Sequence, residues 1–244
     1  MRIRLEIDYI SKYLFSPIYS LASKLYAVEM IGRFHSVSGN LAMPQEILMG
    51  MLNRKQKETL LTEQLSIIKS KSDWFKDNQI LLLLKIDYGL SEFLLGNEQI
   101  RNELQALTFV QLEINETFPN LSQGKESRSI SELSSSFDLW LDNFGSGQSN
   151  LKPLYDGLVH NVKLNPNFVW KLLSRPVSVS MMSPLLHVMK KHCHSLTVVA
   201  KGIDNTDYLE KAYSLDINAV QGNLWPAVPL EQLENQLLPS VCYG

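Results

Sequence analysis

Cysteine is nearly absent from this chain of 244 residues: only Cys193 and Cys242 occur. No disulfide framework can staple it, and a reducing compartment is the expectation. Long apolar runs are missing too. The longest, Ile80 to Leu84, falls far short of the roughly 20 residues a helix needs to cross a bilayer. Arg2, Arg4, Glu6 and Asp8 break up the N-terminus and exclude a secretory signal. Nor does charge of one sign prevail. Twenty-three Lys and Arg stand against 25 Asp and Glu, the net charge is -2 and the pI about 6.2. No global field draws such a chain to nucleic acid or an anionic membrane. The densest basic run, Arg54-Lys55-Gln56-Lys57, lies beside Glu58 and Glu63 and reads as a solvated helix face. Gly145-Ser-Gly147 is too short for a phosphate loop and lacks its downstream Lys-Ser/Thr. A soluble, cytoplasmic protein is expected.

What is present is apolar material, 45% of the chain, enough for one large core. Tyr13 to Tyr19 reads as a strand with an edge proline, and Leu25 to Phe34 as a second. The short turn at Ser20 to Lys24 makes them an antiparallel hairpin. After a Gly39-Asn40 turn, Pro44 suits the first residue of a helix, and a longer helix runs from about Asn53 to Ser70. Strand and helix then alternate. Strands are expected at Gln79 to Ile86, Phe109 to Ile114, Phe137 to Leu141, Val159 to Leu164, Leu196 to Ala200 and Ile217 to Val220. Helical segments lie at Leu90 to Leu107, Ser129 to Ser136, after Pro166, at Pro184 to Lys191, Asp207 to Ser214 and Leu230 to Leu237. Only the loop from Asn115 to Arg128 is too long to be a simple connection. Repeated βα units after a hairpin predict one α/β domain over residues 1–244, a TIM-like (β/α)8 barrel with one reversed strand.

Polar side chains recur within or just after those strands: Glu29, Lys85, Glu113, Asp142 with Asn143, Lys163, Lys201 and Gln221. Parallel barrel strands end on one face, so these groups should converge on one mouth and form a present or former ligand site. An isolated acid such as Asp142 before Gly145 is equally well a turn residue; the recurrence is what argues for a site.

These residues resemble the motifs of the EAL domain family, the phosphodiesterases of cyclic di-GMP. Glu29-Met-Ile31 with Arg33 resembles the signature triplet, and Leu112-Glu-Ile-Asn-Glu116 the next acid and a loop-organising glutamate, Glu116. Asp142-Asn-Phe-Gly145 resembles the Asp-Asp-Phe-Gly turn; Val162-Lys-Leu164, Ala200-Lys-Gly202 and Gln221-Gly222 with Pro226 resemble the later motifs. The likeness runs in order from about Tyr13 to Pro229. It implies two divalent ions activating a water for attack on a phosphodiester.

Four positions depart from that pattern. Lys85 stands where the family has a metal-binding asparagine, Asn143 where it has a second aspartate, Lys201 where it has a glutamate, and Ser16 where it has a nucleotide-binding glutamine. Glu29, Glu113 and Asp142 then face Lys85, Lys163 and Lys201, a set that is neutral without metal. A charged ammonium has no lone pair for a cation. Catalysis and metal binding are therefore expected to be lost, with no cofactor, and the ten positions Glu29, Arg33, Lys85, Glu113, Glu116, Asp142, Asn143, Lys163, Lys201 and Gln221 to be vestigial.

Ile114 to Lys125, Tyr155-Asp-Gly-Leu158 and Gln221 to Pro229 are similar to one degenerate branch of the family, the anti-FlhDC factors. The likeness implies repression of flagellar genes by binding the FlhD subunit of the FlhDC activator. This chain keeps Asp142 and Lys163, which that branch has lost, and adds Lys85 and Lys201. Two other readings stay open: a cyclic di-GMP receptor that does not cleave, for which Arg33 and Lys163 could meet phosphates, and a weak phosphodiesterase. Loss of the Ser16 position and of the metal makes cyclic di-GMP an improbable ligand, and no direct contact with nucleic acid or membrane is expected. The surface for the partner is not legible. The helix at Asn53 to Ser70 and Trp74-Phe75 are candidates, though both equally suit barrel-facing core. His192-Cys193-His194 with His187 has soft-metal ligand types, but neighbouring side chains point apart and no second Cys/His pair stands at zinc spacing. It reads as a solvated helix end. Trp225, beside Pro226, reads as a lid over the mouth.

Overall fold

The computed structural model describes residues 2–4, 8–37, 42–147, 150–174, 186–193 and 195–236. Two long strands, β2 (Asp8–Ser20) and β3 (Leu25–Ser36), form the expected antiparallel hairpin. Six further strands follow: β5 (Leu81–Lys85), β6 (Val110–Asn115), β7 (Leu139–Phe144), β8 (Asn161–Leu164), β9 (Thr197–Lys201) and β10 (Ala219–Gln221). From β3 through β10 each pairs in parallel with the next, and β10 returns to β2 in antiparallel register. The barrel is closed by eight strands, β2 alone being reversed against its neighbours in it. Short β1 (Arg2–Arg4) and β4 (Ala42–Pro44) pair alongside the far ends of β2 and β3, outside the barrel.

The helices are α1 (Gln45–Met51), α2 (Arg54–Ser70), α3 (Ser72–Asn78), α4 (Tyr88–Gly96), α5 (Glu98–Gln105), α6 (Arg128–Ser136), α7 (Lys152–Tyr155), α8 (Pro166–Leu173), α9 (186–192), α10 (Thr206–Ala212) and α11 (Leu230–Gln236). Local chemistry explains their starts. Asn53 and Gln56 form a reciprocal capping box on α2. Asn97 caps α5 and so divides the long helical stretch expected from Leu90 to Leu107. Asn165 caps α8 with Pro166 as its first residue. Pro44 sits one residue before α1, as its cap. Within the loop after β6, Leu121–Glu126 winds into a 3-10 turn.

Four of these elements were not expected: β1, β4, α3 and α7. In α3 Phe75 is fully buried and stacks on Phe109 at 5.0 Å, with Trp74 packed against the same core. The apolar face of α2 (Leu60, Leu61, Leu65, Ile68) is buried likewise. Both segments are therefore barrel packing. The Gly39-Asn40 turn, Pro184, His194, Leu237 and Cys242 lie outside the described residues.

Inside the barrel, Ile18, Ala27, Leu83, Trp140, Val199 and Ala219 make an apolar plug. Side chains two apart on a strand share a face. Moving two residues toward the mouth therefore converts this plug into a polar layer: Ala27 to Glu29, Leu83 to Lys85, Trp140 to Asp142, Val199 to Lys201, Ala219 to Gln221. On β2, which runs backwards, the step is from Ile18 down to Ser16. The site is thus the next storey of a packed core, not a loop feature.

Candidate functional site at the barrel mouth

Three carboxylates come from β3 (Glu29), β6 (Glu113) and β7 (Asp142), and three lysines from β5 (Lys85), β8 (Lys163) and β9 (Lys201). Lys163 is fully buried; its Nζ donates to Glu29 Oε2 at 2.6 Å and Glu113 Oε2 at 2.7 Å. Lys201 Nζ donates to Asp142 Oδ1 at 2.6 Å and Asn143 Oδ1 at 3.1 Å. Lys85 Nζ lies 3.1 Å from Asp142 Oδ2, 3.6 Å from Glu113 Oε1 and 3.9 Å from Glu29 Oε1. Gln221 Nε2 donates to Ser16 Oγ and Glu29 Oε2, both at 2.9 Å. The residues expected to converge do so. Arg33 lines the wall of the same cavity, of about 510 Å³, with Trp225 and Pro226 at its rim. Trp225 packs on Tyr19, ring centroids 5.0 Å apart. Glu116 is buried just past β6, its N–H donating to the carbonyl of Asp142.

Burial by itself opposes every charge here, and the pairing decides the outcome. Glu29 would be raised by burial, yet Lys163, Lys85 and Lys201 outweigh this and hold it at about 2. Asp142, against the same burial, is held well below the usual carboxylate range by the same three lysines. Lys163 resists the burial that favours its neutral form, because Glu113, Glu29 and Asp142 keep its proton on. Glu113 is the exception. Burial, then the charges of Asp142 and Glu29, push it up to about 7 despite Lys163 and Lys85.

The consequence for stability has a definite sign. Between the ordinary carboxyl range and pH 7 the folded state keeps a proton on Glu113 that the unfolded chain has released, so this group's contribution falls as pH rises. Glu29 and Asp142 act oppositely, contributing above the ordinary carboxyl range and losing that contribution as pH falls through their depressed values. In urea unfolding from pH 5 to 8, wild type should lose stability relative to Glu113→Gln at up to about 1.4 kcal/mol per pH unit, levelling near pH 7. A difference between the two that is flat across this range would refute the assignment.

Divalent ions do not suit this donor set. The carboxylate oxygens that would receive them are turned to ammonium groups, which offer no lone pair and repel a cation. Among the described residues, no group of three or more His, Cys, Asp or Glu is disposed to hold a metal ion. His187 and His192 are exposed on α9 while Cys193 is buried. No described helix is long and apolar enough to cross a membrane. Of the basic run, Arg54 and Lys55 are exposed as expected, but Lys57 reaches Asp87 at 2.5 Å.

Several mouth residues escaped the sequence reading. Trp170 Nε1 donates to the Gly202 carbonyl at 2.7 Å, and Asp204 accepts from the Asn223 N–H at 2.8 Å; both residues line the cavity. The one available signal was Gly202 itself, at φ +84°, where a Cβ would fall 2.6 Å from that indole nitrogen. A second groove of about 450 Å³, holding Met49, Lys57, Asp87, Tyr88 and Phe118, was also missed; it shares Lys85 with the mouth.

A closed α/β barrel with one reversed strand and a ring of acids at the ends of its strands defines the class. The EAL domain model matches residues 11–227, and the chain belongs to the EAL domain family. Within it, the chain is 31% identical over 233 residues to the putative anti-FlhC(2)FlhD(4) factor YdiV of Escherichia coli (strain K12), covering 96% of this chain and 98% of that protein. To the anti-FlhC(2)FlhD(4) factor YdiV of Salmonella typhimurium (strain LT2) it is 29% identical, covering 92% and 94%. The crystal structure of the EAL-like domain protein YdiV superposes with a TM-score of 0.87 at 30% identity, over 95% of this chain and 97% of that one. The PaMucR phosphodiesterase in its c-di-GMP complex shares the fold at 15% identity, TM-score 0.67, over 91% and 94%.

Proposed function

We propose that this chain is a catalytically inactive EAL domain, spanning residues 1–244, that acts in the cytoplasm by protein–protein contact. In this reading it is a negative regulator of flagellar gene expression that binds the FlhD subunit of FlhDC. The observation that carries the loss of catalysis is the ammonium of Lys85, set among Glu29, Glu113 and Asp142 where a hydrolytic metal would need their lone pairs. Likeness over nearly the whole length to proteins named anti-FlhC(2)FlhD(4) factors supports the partner. The mouth residues are then structural: the ion pairs among Glu29, Lys85, Glu113, Asp142, Lys163 and Lys201 hold the strand ends together.

The test is capture of purified FlhD, alone and as FlhDC, by the immobilised chain. Retention of FlhD in both forms is expected; retention of neither would sink the partner assignment. Turnover of cyclic di-GMP above background with magnesium or manganese would sink the loss of catalysis. A second reading, a cyclic di-GMP receptor without cleavage, is favoured only by the size of the mouth cavity and by Arg33 in its wall. Calorimetry with the nucleotide, which should show no heat of binding, separates the two.

A partner of this kind needs apolar anchors within a polar rim. Helix α1 exposes Ile47 and Met51, one turn apart and more than half accessible. Replacing both Ile47 and Met51 by Asp should weaken FlhD binding about tenfold or more while leaving the unfolding temperature in place. Unchanged affinity would move the interface elsewhere on the barrel.

A further inference from the structure

Above the mouth, β2 and β3 run on beyond the barrel, and one face of their ladder is turned away from the helices. Tyr13 on β2 donates to Glu63 of α2 at 2.7 Å, and a Cβ at Gly32 on β3 would fall 2.4 Å from Gln45 Oε1 of α1. Odd positions of β2 and even positions of β3 therefore look toward the helices. The opposite face starts at Ser16 and Glu29 on the floor of the mouth and climbs in strict register. Leu14 stands opposite Ile31, then Lys12 opposite Arg33, then Ile10 opposite His35. Ile31 and Arg33 line the wall of the mouth cavity, Lys12 and His35 are exposed, and Ile10 is 51% accessible. A basic row is thus set between two rows that carry apolar side chains.

The packing gives no reason for Lys12 and Arg33. Like charges directly opposite on an antiparallel pair repel. Among the described residues neither side chain has an ion pair or a hydrogen bond, and no acid occupies positions 10 to 14 or 31 to 35. On the outer helices, by contrast, Arg54, Lys69, Arg128, Lys190 and Lys211 each meet a carboxylate. The floor below supplies no counter-charge, since its three acids are matched by three lysines. Beyond Ile10 the next acid, Asp8, is in register with Arg4.

Resting on the reading above that the chain acts by protein contact, we propose that this wall is a docking surface for a partner segment that carries a carboxylate between apolar side chains. A carboxylate laid between Lys12 and Arg33 turns their repulsion into two charge-assisted hydrogen bonds, and the guanidinium can hold it with both oxygens. Ile10 above and Leu14 with Ile31 below supply the apolar contacts that shield such a pair from water. Nucleic acid fits less well: the face has no aromatic side chain on which a base could stack, and the chain carries a net charge of -2. The surface is separate from Ile47 and Met51, because α1 lies behind the other face of these strands.

The test measures the affinity of purified FlhD for the immobilised chain at low and at high salt, beside the unfolding temperature of each variant. Lys12→Glu combined with Arg33→Glu should weaken binding about tenfold or more at low salt and remove most of its salt dependence. Lys12→Glu alone creates a cross-strand pair with Arg33, so it should raise the unfolding temperature by about 1–3 °C while still weakening binding. A gain in stability together with a loss of affinity is not what a merely structural role would give. Lys76→Glu, exposed on α3 ahead of β5 and so at the other end of the barrel, should change neither. If the double charge reversal does not fold, Lys12→Gln with Arg33→Gln serves in its place, with binding expected to fall in the same direction. Folded variants that bind FlhD as wild type does overturn this inference and leave the functional reading intact. Wild type that retains no FlhD overturns both. Duplex DNA bound by wild type and released by the double reversal would give the wall to nucleic acid, which also overturns the inference.

Discussion

Lys163→Met should cost about 3–5 kcal/mol of folding stability, the penalty for leaving partnered charges buried without their partner. The side chain is wholly inaccessible and is held by Glu29 and Glu113 at 2.6 and 2.7 Å. Methionine fills a similar volume, so cavity formation contributes little and the loss is electrostatic. It should also depend on pH in a particular direction. With the ammonium gone, Glu113, already the carboxyl pushed highest by burial and by Asp142 and Glu29, relieves the floor by taking a proton. The deficit should therefore be largest near pH 8 and shrink toward pH 5, and Lys163→Met combined with Glu113→Gln should recover a substantial part of it at pH 8. Lys69→Met, breaking a pair with Glu103 on the surface, should cost under about 1 kcal/mol, since exposed pairs are solvated and entropically loose. Urea denaturation of the four proteins decides this. A Lys163→Met protein as stable as Lys69→Met would mean that the cluster does not hold the strand ends.

The barrel was legible in the sequence for a simple reason. Its strands are short apolar runs, and the step of two from Leu83 to Lys85, Trp140 to Asp142 and Val199 to Lys201 places each polar group on the face of a core residue. The hairpin was legible because four residues between β2 and β3 leave no room for a crossover. Other features depend on partners distant in the chain. β1 and β4 are three residues each and exist only because the ends of β2 and β3 run beyond the barrel to receive them. The strand carrying Asp142 continues to Phe144 instead of ending at Leu141, through Asn143 at φ +61° and a break in register with β8. Asparagine tolerates that conformation, but nothing local requires it. Trp170 and Asp204 became mouth residues through hydrogen bonds to Gly202 and Asn223, contacts that no spacing rule anticipates.

Gly222→Ala should be nearly as damaging as the loss of Lys163, through sterics instead of charge. A Cβ at Gly222 would lie 2.2 Å from the carbonyl oxygen of Ile203 and 2.4 Å from its nitrogen. These are backbone atoms, and no rotamer change moves them aside. They are also fixed on both sides, since Ile203 N–H donates to the Gln221 carbonyl and Leu224 N–H to the Ile203 carbonyl, each at 3.1 Å. Room for the methyl group comes only by parting the segments that follow β9 and β10, which carry Lys201 and Gln221 into the mouth. The expected cost is about 3 kcal/mol, the upper part of the range for overpacking, because the clash is with main chain. The hydrogen bonds of Gln221 to Ser16 and Glu29 should loosen with it. Gly50→Ala provides the contrast: an added Cβ there, in the exposed face of α1, meets nothing within 4 Å. That variant should gain about 0.5–1 kcal/mol from the helix preference of alanine. Opposite shifts of the unfolding temperature in the two variants are the expected result. A Gly222→Ala protein that melts with wild type would show that the close approach between these two segments is not what seats Lys201 and Gln221.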